Sequence, residues 1–327
     1  MKSLLNFTLL VVAFTAITGC KTSNNSKIIK LGHGLDISHP VHKSMIYMGE
    51  LLDQKSNGKM KIKIYPNQQL GTERELVELL QIGSVDITKV SASVLENFAP
   101  SYSVLSIPFI FNNEKHRFNV LEGEIGKEIL DDGKEFWFQG LSFYDAGSRS
   151  FYTKDKPIYA PSDLEGQKIR VMESQTAITM VRSLGGSPTP ISFGELYTAL
   201  QQGVVDGAEN NPPSFYTSRH YEVSKYYTID EHTSVPDVLI ISTHSWNKLS
   251  AEEQNWLQSA ATESAEYQKK LWKVASDDAL QKVKEAGVEV IYPNKKLFQD
   301  KVQEMYETYK QDPMKKDLIN RIQQTEG

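Results

Sequence analysis

Arg149, Arg170 and Asn210 are the residues in this chain whose types and settings suit chemistry on a shared partner. Arg170 lies in a short apolar alternation, Lys168-Ile169-Arg170-Val171-Met172, so Ile169 and Val171 face one way and Arg170 shares the other face with Lys168 and Met172. An arginine on a strand is commonly just solvated or salt-bridged. Here Ile169 and Val171 anchor the strand in a packed sheet and hold the guanidinium rigid, which is what bidentate carboxylate binding requires. The pattern predicts a helix starting near Ser174, with the positive end of its dipole beside whatever Arg170 reaches. Ser192 to Leu196 opens a second helix that closes at Gly203, and Val205 to Asn211 reads as a strand delivering two amides to a loop. In an α/β sheet the strand ends and the helix starts that follow them form the ligand crevice, so Arg170 and Asn210 are expected to share one. Arg149 sits in the turn-like run Ala146 to Tyr152.

The elements that must position these residues are legible from periodicity. Strands are predicted at Ile28–Leu31, Met60–Ile64, Val85–Val90, Phe138–Tyr144, Val238–Ile241 and Val288–Tyr292. Helices are predicted from Pro40 to near Gly58, after Thr72, and from Glu114 to Leu130. From Ser250, with Glu253 placed for a capping box, a charged helical pattern runs to about Ala286, long enough to brace two lobes from behind. An internal echo organises the chain: Glu75, Leu76, Leu80, Gln81, Gly83, Val85 and Asp86 recur as Glu195, Leu196, Leu200, Gln201, Gly203, Val205 and Asp206. Two helix-to-strand turns that each want a glycine stop can coincide by chance. Seven identities in one register favour two similar α/β lobes, with a site that uses both lying between them.

Chain length and charge narrow the class. A chain of 327 residues reads as two domains, and 39% hydrophobic with 24% charged residues is a soluble, globular composition. A net charge of −5 without a basic block gives no footprint for nucleic acid. Lys2, the apolar run Leu4 to Ile17 and Ile17-Thr18-Gly19-Cys20 form a targeting segment ending at the single cysteine, too short for a comfortable membrane span. The pattern resembles a bacterial lipoprotein signal, which implies a signal peptide over 1–19, a lipidated Cys20, and a tether over 20–27. Removal of Lys2 leaves 35 cations against 41 carboxylates. There is no Gly-x-Ser-x-Gly elbow, no phosphate-cradling Gly-Lys-Ser/Thr loop and no His-Glu-x-x-His, so no catalytic residue is assigned. Gly32-x-Gly34 lacks the third glycine of a dinucleotide fingerprint, and no cofactor is expected. His33, His39 and His42 cluster, but no acid or cysteine completes a metal ligand set.

Five motifs together resemble one family. Gly147-x-Arg149, Gly166-x-Lys168-Ile169-Arg170-Val171, Gly186-Ser187-Pro188-Thr189-Pro190, Phe193-Gly194-Glu195-Leu196-Tyr197-x-Ala199-Leu200-Gln201 and Val205-Asp206-Gly207-x-Glu209-Asn210 are similar to the solute-binding proteins of tripartite ATP-independent periplasmic (TRAP) transporters. The resemblance spans Leu31 to past Tyr292. It implies an α/β, two-lobed periplasmic binding protein of type II-like form, with a cleft between the lobes and a long bracing helix. Lobe I would comprise 28–146 and 236–275, lobe II 147–235 and 276–327, with hinges near Ala146 and Val235. The resemblance further implies that Arg170 grips a ligand carboxylate, that Arg149 is a second cation, that Asn210 steadies the same group, and that Phe193 lines the site. Glu73, Lys89, Ser91 and His33 would face the cleft from the first lobe.

Thr88-Lys89-Val90-Ser91, Gly147 to Thr153, Ser214 to Tyr221 and Asp230-Glu231-His232-Thr233 look like the members that bind hexuronic acids, glucuronate or galacturonate. The doubled Asn210-Asn211 before two prolines departs from the usual Glu-Asn-Pro pattern and leaves Asn211 without a role. The implied partners are a hexuronate, the TRAP permease subunits and, through the lipid, the membrane, with the protein in the periplasm. Two other classes compete: a uronate-processing enzyme using Lys89 or His33 as base, and a ligand-sensing lipoprotein.

Overall fold

Met60, Ile62 and Ile64 alternate with lysines, a pattern that buries one strand face. In the computed structural model, which describes residues 26–327, they form the edge strand of a five-stranded sheet. The described strands, in chain order, are β1 (Lys27–Gly32), β2 (Met60–Tyr65), β3 (Ile87–Ser91), β4 (Phe138–Tyr144), β5 (Arg149–Thr153), β6 (Lys168–Val171), β7 (Ser187–Pro190), β8 (Gly207–Asn210), β9 (Tyr226–Thr233), β10 (Asp237–Ser242) and β11 (Glu289–Ile291). The first sheet runs β2-β1-β3-β10-β4 and the second β11-β9-β5-β8-β6-β7. The chain passes from the first sheet to the second between β4 and β5, and returns between β9 and β10.

The internal echo is a repeated joint. Helices Glu73–Gln81 and Leu196–Gln201 each end in a left-handed glycine, Gly83 at φ 74° and Gly203 at φ 71°. Ser84 N donates to Leu79 O at 2.9 Å and Val204 N to Ala199 O at 2.9 Å, the bonding of a Schellman stop. Asp86 then accepts from Lys30 N at 2.7 Å, and Asp206 from Lys168 N at 2.8 Å. Each lobe therefore welds its helix exit to the strand beside it through the same aspartate.

Helix Ala251–Glu285 begins with the capping box of Ser250 and Glu253. Its Leu257, Ala260, Ala261, Ala265 and Trp272 pack in the first-lobe core, and Val283 in the second. Between these, the buried Gln268 donates to Asp145 O at 2.7 Å and accepts from Asp145 N at 2.8 Å. The helix thus holds the first crossover strand by both backbone groups. Two residues on, Gly147 has φ 57°, and a Cβ there would lie 2.7 Å from Trp272 Nε1, so only glycine fits.

Three expectations are corrected. Lys27, expected as the last residue of a tether over 20–27, pairs with Met60 as the first residue of β1; the signal peptide 1–19 and Cys20 to Asn25 lie outside the described residues. The segment Glu114 to Leu130 is two helices, Glu114–Glu122 and Glu124–Asp132, parted at Gly123, whose backbone is extended. The closing helix Pro313–Gln324 does not stay with 276–327 in the second lobe. Its Leu318, Ile319 and Ile322 are buried with Val120, Leu121, Ile125 and Ile129, because that first-lobe helix pair presents an apolar stripe that needs cover.

Candidate functional site

The elements that carry the site converge on a cavity between the two sheets, lined from both lobes. In the second lobe β6 and β8 run parallel with Arg170 opposite Ala208, and β5 pairs antiparallel with β8 so that Ser150 faces Asn210. This register brings Arg149, Arg170 and Asn210 to one end of three adjacent strands. Ser174 caps helix Gln175–Ser183 through a bond from Ala177 N. In the first lobe, Lys89 and Ser91 end β3, Asp237 begins β10 opposite Ser91, and Glu73 opens its helix after the Thr72 and Glu75 capping box. Arg149, Arg170, Asn210, Phe193, Glu73, Lys89 and Ser91 all line the cavity.

Arg170 is 2% exposed, and its Nε donates to Ile191 O at 2.8 Å. Its Nη1 is buried with no hydrogen-bond partner. Burial pushes its pKa down from the usual arginine value, yet a guanidinium keeps its proton at neutral pH. The Phe193 ring centroid lies 6.0 Å from Cζ. His220, which touches Phe193 edge-on and accepts or donates with Tyr152 Oη at 2.8 Å, is held at a pKa of about 3 by burial and by the Arg170 charge. Arg170 is thus a fixed cation that feels the more distant charges of Glu209, Arg149 and Glu73, and its idle Nη1 can take a hydrogen-bond acceptor.

Arg149 is placed differently from Arg170. Its Nη2 donates to Glu209 Oε1 at 2.9 Å and to Glu209 O at 2.8 Å, and its Nε to Glu209 Oε2. Glu209 in turn lies 3.5 Å from His232 Nε2, and His232 Nδ1 is 2.8 Å from Asp230. Four buried charges of alternating sign therefore stand in a row behind the cavity wall. The remaining Arg149 nitrogen, Nη1, donates to Asn210 Oδ1 at 2.8 Å, and Asn211 N donates to the same oxygen at 2.9 Å. With Oδ1 engaged twice, the Asn210 Nδ2 hydrogens are left to serve a ligand. Arg149 thus holds the Asn210 amide in place, and its own charge is matched by Glu209.

The first-lobe wall is a second charged group. Lys89 Nζ lies 2.8 Å from Glu73 and 3.1 Å from Asp237, and Glu73 also accepts from Ser91 N at 3.2 Å. Burial opposes the Lys89 charge, but Asp237 and Glu73 outweigh it and raise its pKa. Asp237 was not among the residues expected from the sequence; its place directly after the Val235-Pro236 crossover was the signal that it faces the cleft.

His33 does not reach the cavity. It is fully buried, its Nδ1 accepts from Leu35 N at 3.1 Å and its Nε2 meets His42 Nδ1 at 2.9 Å. Burial, then the Lys89 charge, lower its pKa to about 2. The strand end turns at Gly34, so Gly34 and Leu35 line the cavity in its place. Asn211 gains a role as the cap of helix Pro212–Thr217, accepting from Ser214 N at 2.9 Å. Ser214 then meets His39 Nε2 of the first lobe at 3.2 Å, and Glu96 of the first lobe accepts from Thr176 N at 2.9 Å.

Residues 31–312 match the family described as bacterial extracellular solute-binding protein, family 7, named DctP. The chain belongs to this family. Its fold is the α/β, two-lobed fold of the periplasmic binding proteins, and members of family 7 bind solutes outside the cytoplasm. This solute-binding protein is 40% identical over 303 residues to the uncharacterized protein YiiZ of Salmonella typhimurium, covering 92% of both chains. Among solved structures, it is 38% identical to a TRAP periplasmic solute binding protein from Xanthobacter autotrophicus Py2 with bound β-D-galacturonate, at a TM-score of 0.89 over 91% of this chain and 100% of that one. It is 36% identical to a TRAP periplasmic solute binding protein from Roseobacter denitrificans with bound β-D-glucuronate, at a TM-score of 0.89 over 92% and 100%. Among the described residues no helix is long and apolar enough to cross a membrane, and no group of three or more His, Cys, Asp or Glu residues is placed to hold a metal.

Proposed function

We propose that this protein captures a hexuronic acid, D-glucuronate or D-galacturonate, and delivers it to a TRAP membrane permease for sodium-coupled uptake. The observation that carries the reading is the buried Arg170 guanidinium with an idle Nη1 in a cavity whose other wall is polar. A sugar acid matches both halves: the carboxylate meets Arg170 and the Asn210 amide, and the hydroxyls meet Ser91, Lys89 and Glu73. The bound hexuronates of the two structural neighbours support the same class.

A binding role without turnover fits the site better than an enzyme does. Lys89 is clasped by two carboxylates and retains its proton, and His33 is sealed from the cavity, so neither supplies a base there. The test is a thermal-shift screen of uronic, keto and dicarboxylic acids. A ligand at roughly a hundred times its Kd stabilises the folded state by about 2.7 kcal/mol, so D-glucuronate or D-galacturonate is expected to raise the melting point clearly. A melting point unmoved by either sugar acid at millimolar concentration would reject the assignment.

The motif Ile17-Thr18-Gly19-Cys20 supports anchoring of the periplasmic protein by a lipid on Cys20. One lipid on the new N-terminus would keep the captured acid close to its permease. Expressed with its own leader, the wild type is expected in the membrane fraction and a Cys20→Ser variant in the soluble one. Equal partitioning of both would dismiss the anchor.

A further inference from the structure

The two walls of the cavity differ in sign. On the second lobe, the Arg170 Nη1 is buried without a partner, while the Arg149 charge is matched by Glu209 in direct contact. On the first lobe, one cation, Lys89, stands between two carboxylates, Glu73 and Asp237, and all three line the cavity. Lys89 and Asp237 are buried, and the Glu73 side chain is 16% exposed, so water screens this group poorly. The remaining charged lining residues lie on the rim: Arg74 is half exposed with its Nε on Glu78 at 3.1 Å, and Glu173 is partly exposed on the opposite lip.

Hydrogen-bond capacity points the same way as the charge. An ammonium has three donors, and two of those on Lys89 are taken by Glu73 and Asp237. A hydroxyl arriving there accepts from the third and donates to a carboxylate oxygen. A carboxylate arriving there accepts only, shares one N–H, and faces two like charges.

We infer that Glu73, Lys89 and Asp237 form a filter that admits hydroxyls and rejects a second carboxylate, so that the ligand is a sugar acid with one carboxylate and not an aldaric or other dicarboxylic acid. This rests on the hexuronate reading above and narrows it: one end of the cavity selects an anion and the far end excludes one. Selectivity here is built from repulsion as much as from attraction.

The experiment compares D-galacturonate with galactarate, in which the carbonyl carbon is oxidised to a second carboxylate, by calorimetry on the purified protein. Galactarate is expected to bind at least ~100-fold more weakly. Asp237→Asn and Glu73→Gln, each of which removes one negative charge at nearly constant shape, are expected to narrow that ratio by about tenfold. Galacturonate binds as a ring and galactarate is open-chain, so the charge effect is read from galactarate itself. Its affinity is expected to rise in both variants, and a ratio narrowed only by weaker galacturonate binding counts as unmoved. Galactarate binding within about tenfold of galacturonate to the wild type, or a ratio unmoved in both variants, overturns the filter and leaves the hexuronate assignment standing. Where galacturonate does not bind, the same comparison is made with D-glucuronate and glucarate, and binding of neither hexuronate rejects that assignment and the filter with it.

Discussion

Replacing Arg170 by alanine is expected to weaken hexuronate binding by roughly 2–5 kcal/mol, about 30-fold to several-thousandfold in Kd by calorimetry. The size follows from the state of the side chain before any ligand arrives. Its desolvation has already been imposed by folding, since it is 2% exposed, and its Nε is spent on Ile191 O while Nη1 has no partner. A ligand carboxylate supplies that partner and the opposite charge together, so nearly all of the pairing free energy appears in binding. Arg170→Lys is expected to lose most of the affinity too, because a single ammonium cannot present the planar fork. The same reasoning gives an opposite sign for the ligand-free protein: Arg170→Met removes a buried charge whose Nη1 has no partner and should leave stability in urea equal or higher. Affinity unchanged in Arg170→Ala would place the anion elsewhere in the cleft.

The second large effect is expected at Glu209, one step behind the cavity wall. Glu209→Ala leaves Arg149 and His232 without their shared counter-ion in a fully buried setting, and a loss of roughly 3–5 kcal/mol in urea unfolding is expected. This row of charges also has a pH signature. Burial alone would lower the His232 pKa, but Asp230 and Glu209 outweigh it and raise it from 6.5 to about 9. Burial alone would raise that of Glu209, but Arg149 and His232 outweigh it and lower it from 4.5 to about 2. A raised histidine stabilises fully below its unfolded value and loses that contribution as pH climbs through the folded one. A lowered carboxylate stabilises fully above its unfolded value and loses that contribution as pH drops through the folded one. Both contributions are therefore complete between 4.5 and 6.5, and the histidine part fades toward 9. The stability gap between the wild type and His232→Asn is expected to shrink as pH rises through that interval. A gap constant with pH would mean that His232 titrates alike in the folded and unfolded states and gains nothing from Asp230 and Glu209.

Much of this could be told from the chain alone because it is set by neighbours a few residues apart. The capping box at Ser250 and Glu253, the Ser174 cap, the glycine stops at Gly83 and Gly203 and the apolar flanks of Arg170 each involve partners within about four positions. The echo between Glu75–Asp86 and Glu195–Asp206 carried the two-lobed plan, since the same local joint was written twice. Arg170 and Asn210 line one cavity as their strand ends suggested, and Phe193, Glu73, Lys89 and Ser91, expected only from the resemblance, line it too.

What required the folded molecule was every property that belongs to a pair of distant groups. Arg149 reads as a free cation in sequence, and only the meeting of β5 with β8 shows Glu209 matching its charge from 60 positions away. His33 sits at a strand end that ought to face the cleft, yet the turn at Gly34 buries its ring against His42. Asp237 joins the wall through a bond to Lys89, 148 positions earlier, and the Pro313–Gln324 helix returns to the first lobe because its apolar face finds cover there. Periodicity and capping are local and survive in one dimension. Charge compensation, burial and the sign of each cavity wall depend on distances between residues far apart in the chain, and those exist only once the two sheets have been placed against one another.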